Sequence, residues 1–205
     1  SYLAAGIKEQ VDVPVIASHR INDPDTARNL LAKGHCDMVA MGRSLIADPM
    51  LPQKAKQGRE NEIIHCIACA QGCFDNLFKL KQVECLCNPV AGHESTRVVK
   101  KTSSPKNILV VGGGPAGMMA AVTAHRRGHR VVLHEKSGRL GGQLHLAAAP
   151  PGREAFAGLS SDLANQLTLE KIPVVLNSRV DQTVIRESVP DAVILATGAV
   201  PAKPP

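Results

Sequence analysis

Three cysteines within eight residues, Cys66, Cys69 and Cys73 of HCIACAQGC, constrain this chain more than any other feature. Thiols packed so densely in sequence are read as ligands that converge on a shared centre. A fourth, Cys85, returns after eleven intervening residues, and this spacing fits four-thiolate ligation of a [4Fe–4S] cluster. Zinc is the competing reading, although four-cysteine zinc sites usually present two separated close pairs. Structural disulfides belong to oxidising compartments, to which nothing in this sequence points. Cys87 leaves the fourth position open, because two residues of an extended segment spaced two apart point to the same side.

The rest of the composition narrows the partners. At 205 residues the chain has room for one or two domains, and 44 % hydrophobic with 20 % charged residues is a globular balance. No apolar run reaches eighteen residues, so no membrane-spanning helix is expected. The net charge of +6 is modest and the chain has four aromatic residues, which argues against a base-stacking nucleic-acid binder. Anionic cofactor phosphates account for part of the positive excess. The chain opens without methionine in a helical pattern and closes on prolines, and it is expected to be cut at both ends.

Before the cysteines, residues 1–58 read as part of a repeating β/α unit. VPVIASHRI (13–21) is a strand run, DPDTARNLLAKG (23–34) a helix with Pro24 in its first turn and Gly34 at its end, and CDMVAMGRSL (36–45) the next strand run. Strand, helix and strand at this spacing imply a parallel sheet covered on both faces. His19 and Arg20 end the first run and Gly42-Arg43 lies in the second, which suits the phosphate site formed by the last two loops of a (β/α)8 barrel. Cys36 reads as a small core residue and His35 as a loop residue.

After a polar connector, HESTRVVKKTSSP, the pattern changes to a dinucleotide-binding unit over 104–205. The strand ILVV leads into Gly112, Gly114 and Gly117 in G-x-G-x-x-G spacing, then a helix, then a strand ending at Glu135. Gly112 permits the tight turn, Gly114 admits a pyrophosphate to the backbone, and Gly117 lets helix and strand pack closely. Glu135 can accept from ribose hydroxyls and would repel a 2′-phosphate, so the half-site suits FAD or NAD better than NADP. IPVVLNSRV (172–180) and DAVILATGAVP (191–201) read as further strand segments.

This order of features resembles the flavoprotein family that includes 2,4-dienoyl-CoA reductase, 2-enoate reductases and trimethylamine dehydrogenase. The resemblance runs over PVIASHRINDP, DMVAMGRSLIADPMLPQKAKQGRENEI, CIACAQGC with Cys85, and the glycine fingerprint. It implies an α/β architecture: the C-terminal strands of an FMN-binding TIM barrel (1–58), an iron–sulfur segment and linker (59–103), and part of a Rossmann-like FAD domain (104–205). Arg20, Gly42 and Arg43 would then contact FMN, and Cys66, Cys69, Cys73 and Cys85 would hold the cluster, the eleven-residue gap favouring Cys85 over Cys87.

GRLGGQL (138–144), with Gly142, resembles the loop that lies against FAD in two-dinucleotide flavoproteins, and Ala196-Thr197-Gly198 the motif preceding their second nucleotide domain. By the same resemblance Ala116, Glu135, Gln143, Arg153 and Val180 would contact FAD. His19, where the family usually has a small or amide residue, and the extra thiol of Cys87 depart from the pattern. The activity implied is NAD(P)H-dependent reduction of an activated double bond in a small molecule, in the cytoplasm, through FAD, [4Fe–4S] and FMN. The alternatives are an amine dehydrogenase or N-demethylase running electrons the other way, and a zinc-stabilised nucleotide-binding module without redox chemistry. No catalytic acid is assigned here, since in this family it comes from earlier barrel strands.

Overall fold

The computed structural model describes residues 2–200, which fall into two compact units divided between Thr96 and Arg97. The cysteine-rich segment belongs to the first unit.

In the first unit, α1 (Tyr2–Lys8) precedes β1 (Ile16–Ala17), α2 (Pro24–Ala32) and β2 (Met38–Val39), and the two strands pair in parallel, Ile16 opposite Met38 and Ala17 opposite Val39. This is the β/α/β order read from the sequence, with shorter strands. Pro14 donates no hydrogen bond, and His19 and Arg20 both turn left-handed (φ 79° and 55°), so β1 is confined between them. α2 starts where the sequence puts it. Asp23 caps it by accepting from Thr26 N at 2.7 Å, Pro24 stands in its first turn, and Gly34 follows its end at φ 65°. Ala17, Ile21, Ala27, Leu30 and Cys36 form the core of this region, so Cys36 is the small core residue expected of it.

The run 36–45 is not one strand. It leaves the sheet after Val39, and α3 (Gly42–Ala47) begins at Gly42, placing Arg43 in a helical turn. The buried Ser44 hydroxyl donates to the Ile21 carbonyl at 2.9 Å and so ties α3 to the end of β1. α4 (Leu51–Lys56) and a 3-10 turn (Glu60–Glu62) lead to the cysteines, and α5 (Phe74–Phe78) follows Cys73.

Asp48 organises this passage. Its buried carboxylate accepts from Met50 N, from Lys54 Nζ at 2.6 Å and from Ile64 N at 3.0 Å, while Lys54 Nζ also donates to the Glu62 carbonyl. One side chain thus fixes the backbone two residues before Cys66.

The second unit is a four-stranded parallel sheet in the order β5-β4-β3-β6: β3 (Asn107–Val111), β4 (Arg130–His134), β5 (Val174–Val175) and β6 (Ala192–Leu195). That is the 3-2-1-4 strand order of a dinucleotide-binding half. α6 (Pro115–Arg126) and α8 (Ala155–Leu169) supply Met118, Ala121, Val122, Leu159, Leu163 and Leu167 to bury Leu109, Val110 and Leu133. α7 (Leu144–Ala148) precedes α8, and α9 (Gln182–Ser188) precedes β6.

Two expected strands are shortened. Of 172–180 only Val174 and Val175 pair, since Pro173 donates nothing and Asn177 turns left-handed at φ 53°. Of 191–201, residues 192–195 form the strand and Pro201 lies outside the described residues.

Replacing Asp48 by alanine strands the Lys54 ammonium and removes two backbone-anchoring bonds at once. The variant is expected to lose about 3 kcal/mol of stability in denaturant unfolding.

Candidate functional site

The β1 and β2 ends open onto a cavity of about 270 Å³. Ser18, His19, Arg20 and Asn22 line it from the first strand's loop, Gly42, Arg43 and Ser44 from the second. Arg20, Gly42 and Arg43 are therefore brought together, as the sequence leads one to expect. The backbone at His19 and Arg20, left-handed without being glycine, is the kind of strain that surrounding structure must hold in place. Cys66, Ala68 and Phe74 complete the wall.

A second, smaller cavity lies against the first, and Arg43 and Cys66 line both. Its walls carry Cys66, Cys69, Cys73, Cys85 and Cys87, with Ile46, Ile67 and Leu86 as apolar cover. The returning segment can come this close because Gly72 has no side chain: a β-carbon there would stand 2.6 Å from the Glu84 carbonyl oxygen, whose own amide donates to the Gly72 carbonyl at 2.8 Å. Asn22 Nδ2 donates to the Cys66 carbonyl at 3.0 Å, and Ala68 N lies 3.4 Å from the Cys66 sulfur.

Arg43 stacks over the Phe74 ring at 5.2 Å, keeping a guanidinium in the shared wall. Burial pushes the Cys66 thiol up, and the Arg43 charge partly opposes this. Cys85 is held down to about 6 by hydrogen bonds to its sulfur, the largest from the Cys87 thiol. Cys87, bonded to Cys85 and buried, is pushed up.

Among the described residues no three Cys, His, Asp or Glu side chains converge to hold a single metal ion. The thiols instead line the walls of one cavity. Four cysteine thiolates are the donor set that a four-iron cluster takes, one at each iron.

In the second unit three loops converge. Gly117 lets helix α6 pack closely beneath them, since a β-carbon there would overlap the Gly112 carbonyl oxygen. Gly141 N donates to the Gly113 carbonyl at 2.8 Å, a β-carbon on Gly142 would stand 3.2 Å from Gly114 Cα, and Gln143 Nε2 donates to the Ala199 carbonyl at 2.6 Å, beside Gly198. Gly114 is different from its neighbours. Nothing lies within 4 Å of where its β-carbon would be, so packing does not demand glycine there; the open face above it fits a pyrophosphate against the backbone. Ala116 is exposed on the first turn of α6.

Glu135, 7 % exposed, directly follows β4 and accepts from Gly113 N at 2.6 Å and from the Ser137 amide and hydroxyl, both at 2.8 Å. Burial raises its pKa, but these hydrogen bonds outweigh burial and hold it below the ordinary carboxylate value. Its contribution to stability is therefore complete above that ordinary value and is lost as pH falls through the lowered one. Arg153 lies over the Phe156 ring at 4.7 Å, and Val180 is half-buried before α9. Among the described residues neither joins the hydrogen bonds that tie the three loops together.

Asp48, Asn22, Ser44 and Phe74 were not legible as site residues. Each is a solitary side chain in the sequence, and only the hydrogen bonds and stacking of the folded chain connect them to the thiols.

Parallel-strand ends with paired arginines, a thiol chamber and a dinucleotide cradle define a segment of a flavin-dependent oxidoreductase. Residues 3–62 match the NADH:flavin oxidoreductase / NADH oxidase family and residues 107–184 the FAD dependent oxidoreductase family, and the chain belongs to the flavoproteins that join the two. It is 45 % identical over 205 residues to an NADH oxidase of Thermoanaerobacter brockii, covering 99 % of this chain and 32 % of the oxidase. To a metal reductase of Desulforamulus reducens it is 44 % identical over 209 residues, covering 100 % of this chain and 31 % of the reductase. Among solved structures, 2-naphthoyl-CoA reductase with 2-naphthoyl-CoA superposes with a TM-score of 0.95 at 35 % identity, over 99 % of this chain and 31 % of that one. The chain spans about a third of the length of the curated relatives it matches.

Two glycine substitutions separate fold from cradle. Gly117→Ala is expected to cost about 1–3 kcal/mol in denaturant unfolding, because the new carbon meets main chain. Gly114→Ala, at a φ of −74° that alanine adopts freely, should leave the unfolding midpoint in place and reduce retained FAD on desalting. Gly72→Ala should lower iron per chain.

Proposed function

We propose that this chain forms part of an iron–sulfur flavoprotein that passes electrons between NAD(P)H, FAD, a [4Fe–4S] cluster and FMN and reduces an activated carbon–carbon double bond of the enoate or dienoyl-CoA type. The observation that carries the proposal is the wall shared by two cavities: Arg43 and Cys66 line both the arginine-bearing chamber at the strand ends and the thiol chamber. An anion-binding site and a cluster site in wall-to-wall contact are what single-electron exchange between a flavin and a cluster requires. When bound, the flavins supply hydride and single-electron chemistry and the cluster single-electron transfer.

The chain's own residues bind and orient. Arg20 and Arg43, with backbone amides around Gly42, would neutralise the FMN phosphate, and Phe74 stacks on the Arg43 guanidinium. Cys66, Cys69, Cys73 and Cys85 would hold the cluster, and Ile46, Ile67 and Leu86 would keep water from the sulfurs. Gly112, Gly114, Ala116 and Gly117 take the FAD pyrophosphate, Glu135 accepts from a ribose hydroxyl through its remaining lone pair, and Gly142, Gln143 and Gly198 border the same face. Arg153 and Val180 contact FAD in this reading as well. The name of 2-naphthoyl-CoA reductase supports a conjugated thioester or acid as substrate, and reduced thiols suit the cytoplasm.

Full-length protein prepared without oxygen is expected to contain about four iron and four acid-labile sulfide per chain, with FMN and FAD. It should oxidise NAD(P)H only when an arylacrylate or enoyl-CoA is added. A colourless zinc protein would refute the proposal, and flavin reduction by a secondary amine without alkene turnover would reverse its direction.

A further inference from the structure

The glycine-rich loop beside the dinucleotide cradle has more conformational freedom than a binding surface can use. Gly141 and Gly142 both stand at positive φ, 112° and 52°, and consecutive glycines give the main chain many alternatives to that arrangement. Side chains from the two following helices select it. The Leu140–Gly141 peptide unit is held at both ends: its N–H donates to the Gly113 carbonyl at 2.8 Å, and its carbonyl oxygen lies 2.7 Å from His145 Nε2 and 3.4 Å from Ser160 Oγ. A carbonyl only accepts, so the imidazole carries a proton on Nε2. The histidine bond is short and the serine bond stands at the edge of hydrogen-bonding range, which makes His145 the principal anchor.

The same two side chains explain why residue 141 is glycine. A β-carbon there would stand 2.3 Å from Ser160 Oγ and 2.6 Å from His145 Nε2, so the anchors fill the space a larger residue would need. The peptide unit is planar, so turning it about its long axis would break the bonds at both ends together. His145 is half-buried in α7, directly after the loop, and Ser160 is buried in α8. Held in this way, the loop lays Gly142 against the turn at Gly114, where a Gly142 β-carbon would come within 3.2 Å of the Gly114 Cα.

We infer that His145 is a positioning residue for FAD: by donating its Nε2–H to the Leu140 carbonyl it holds the loop against the Gly113–Gly114 turn, so that Gly142 and Gln143 border the pyrophosphate face before the cofactor arrives. The inference rests on the FAD reading above. His145 acts through the Leu140–Gly141 peptide unit and not by touching the cofactor. Without its bond, the paired glycines must be ordered at the moment of binding, and that ordering entropy weakens the hold on FAD.

The test uses full-length protein carrying both flavins, as wild type, His145→Leu, His145→Ala and His145→Gln, the last keeping an N–H donor on a side chain of similar reach. Release of FAD and of FMN is followed after dilution by separating free flavin from protein at intervals and resolving the two by chromatography. His145→Leu and His145→Ala are expected to release FAD about fivefold faster than wild type, the equivalent of one net hydrogen bond, with FMN release unchanged. His145→Gln should stay near the wild-type rate. FAD release at the wild-type rate in the two donor-free variants would overturn the inference. Equal acceleration in all three variants would make the bulk of the ring, and not its donated bond, the operative feature, and would overturn it too. FMN release accelerated in step with FAD, or donor-free variants that do not fold, would make the bond a general support of the fold and overturn it likewise. Each of these outcomes leaves the cofactor reading intact, whereas a wild type that carries no FAD would remove that reading and the inference together.

Discussion

Main chain meets main chain at several glycines among the described residues, and each candidate site depends on one of them. At Gly72 the returning segment lays Glu84 against the cysteine triplet, and at Gly117 the helix α6 comes down onto the Gly112 carbonyl. A single methyl at either point would push apart the elements that carry ligating groups. The hydrophobic cores can tolerate substitutions of similar volume; these contacts have no slack, because the displaced partner is backbone rather than the end of a flexible side chain.

Around that constraint, polar side chains act as anchors for backbone. Asp48 holds the approach to Cys66, Asn22 holds the Cys66 carbonyl, and Asn88 holds the turn after Cys85. Each bond contributes modestly, on the order of 1 kcal/mol. Their joint effect is to place five sulfurs in one chamber.

The parts of the fold that the sequence made legible are those carried by local spacing. The glycine fingerprint, the acid at the end of β4, the cysteine triplet and the capped helix α2 are all patterns within a few residues of one another. Strand lengths were not legible, because Pro14, Pro173 and the left-handed turns at His19, Arg20 and Asn177 end the pairing inside runs that look uniformly apolar. The helix beginning at Gly42 was hidden for the same reason: GRSLIA continues an apolar stretch, and the bond from Ser44 to Ile21 bridges 23 positions. Alternation could not separate Cys85 from Cys87 either. Both thiols line the same chamber, Cys87 buried and Cys85 half-buried.

Glu135 shows what such anchoring does at a surface meant for a ligand. Its carboxylate is oriented by Gly113 and Ser137 while the face above Gly114 stands open. A hydroxyl arriving there meets an acceptor whose rotational freedom was surrendered when the chain folded. The entropy of fixing that side chain is thus charged to folding and not to association, so the affinity of the cradle would respond weakly to temperature-driven loosening of its acid and strongly to anything that unseats the serine two residues on.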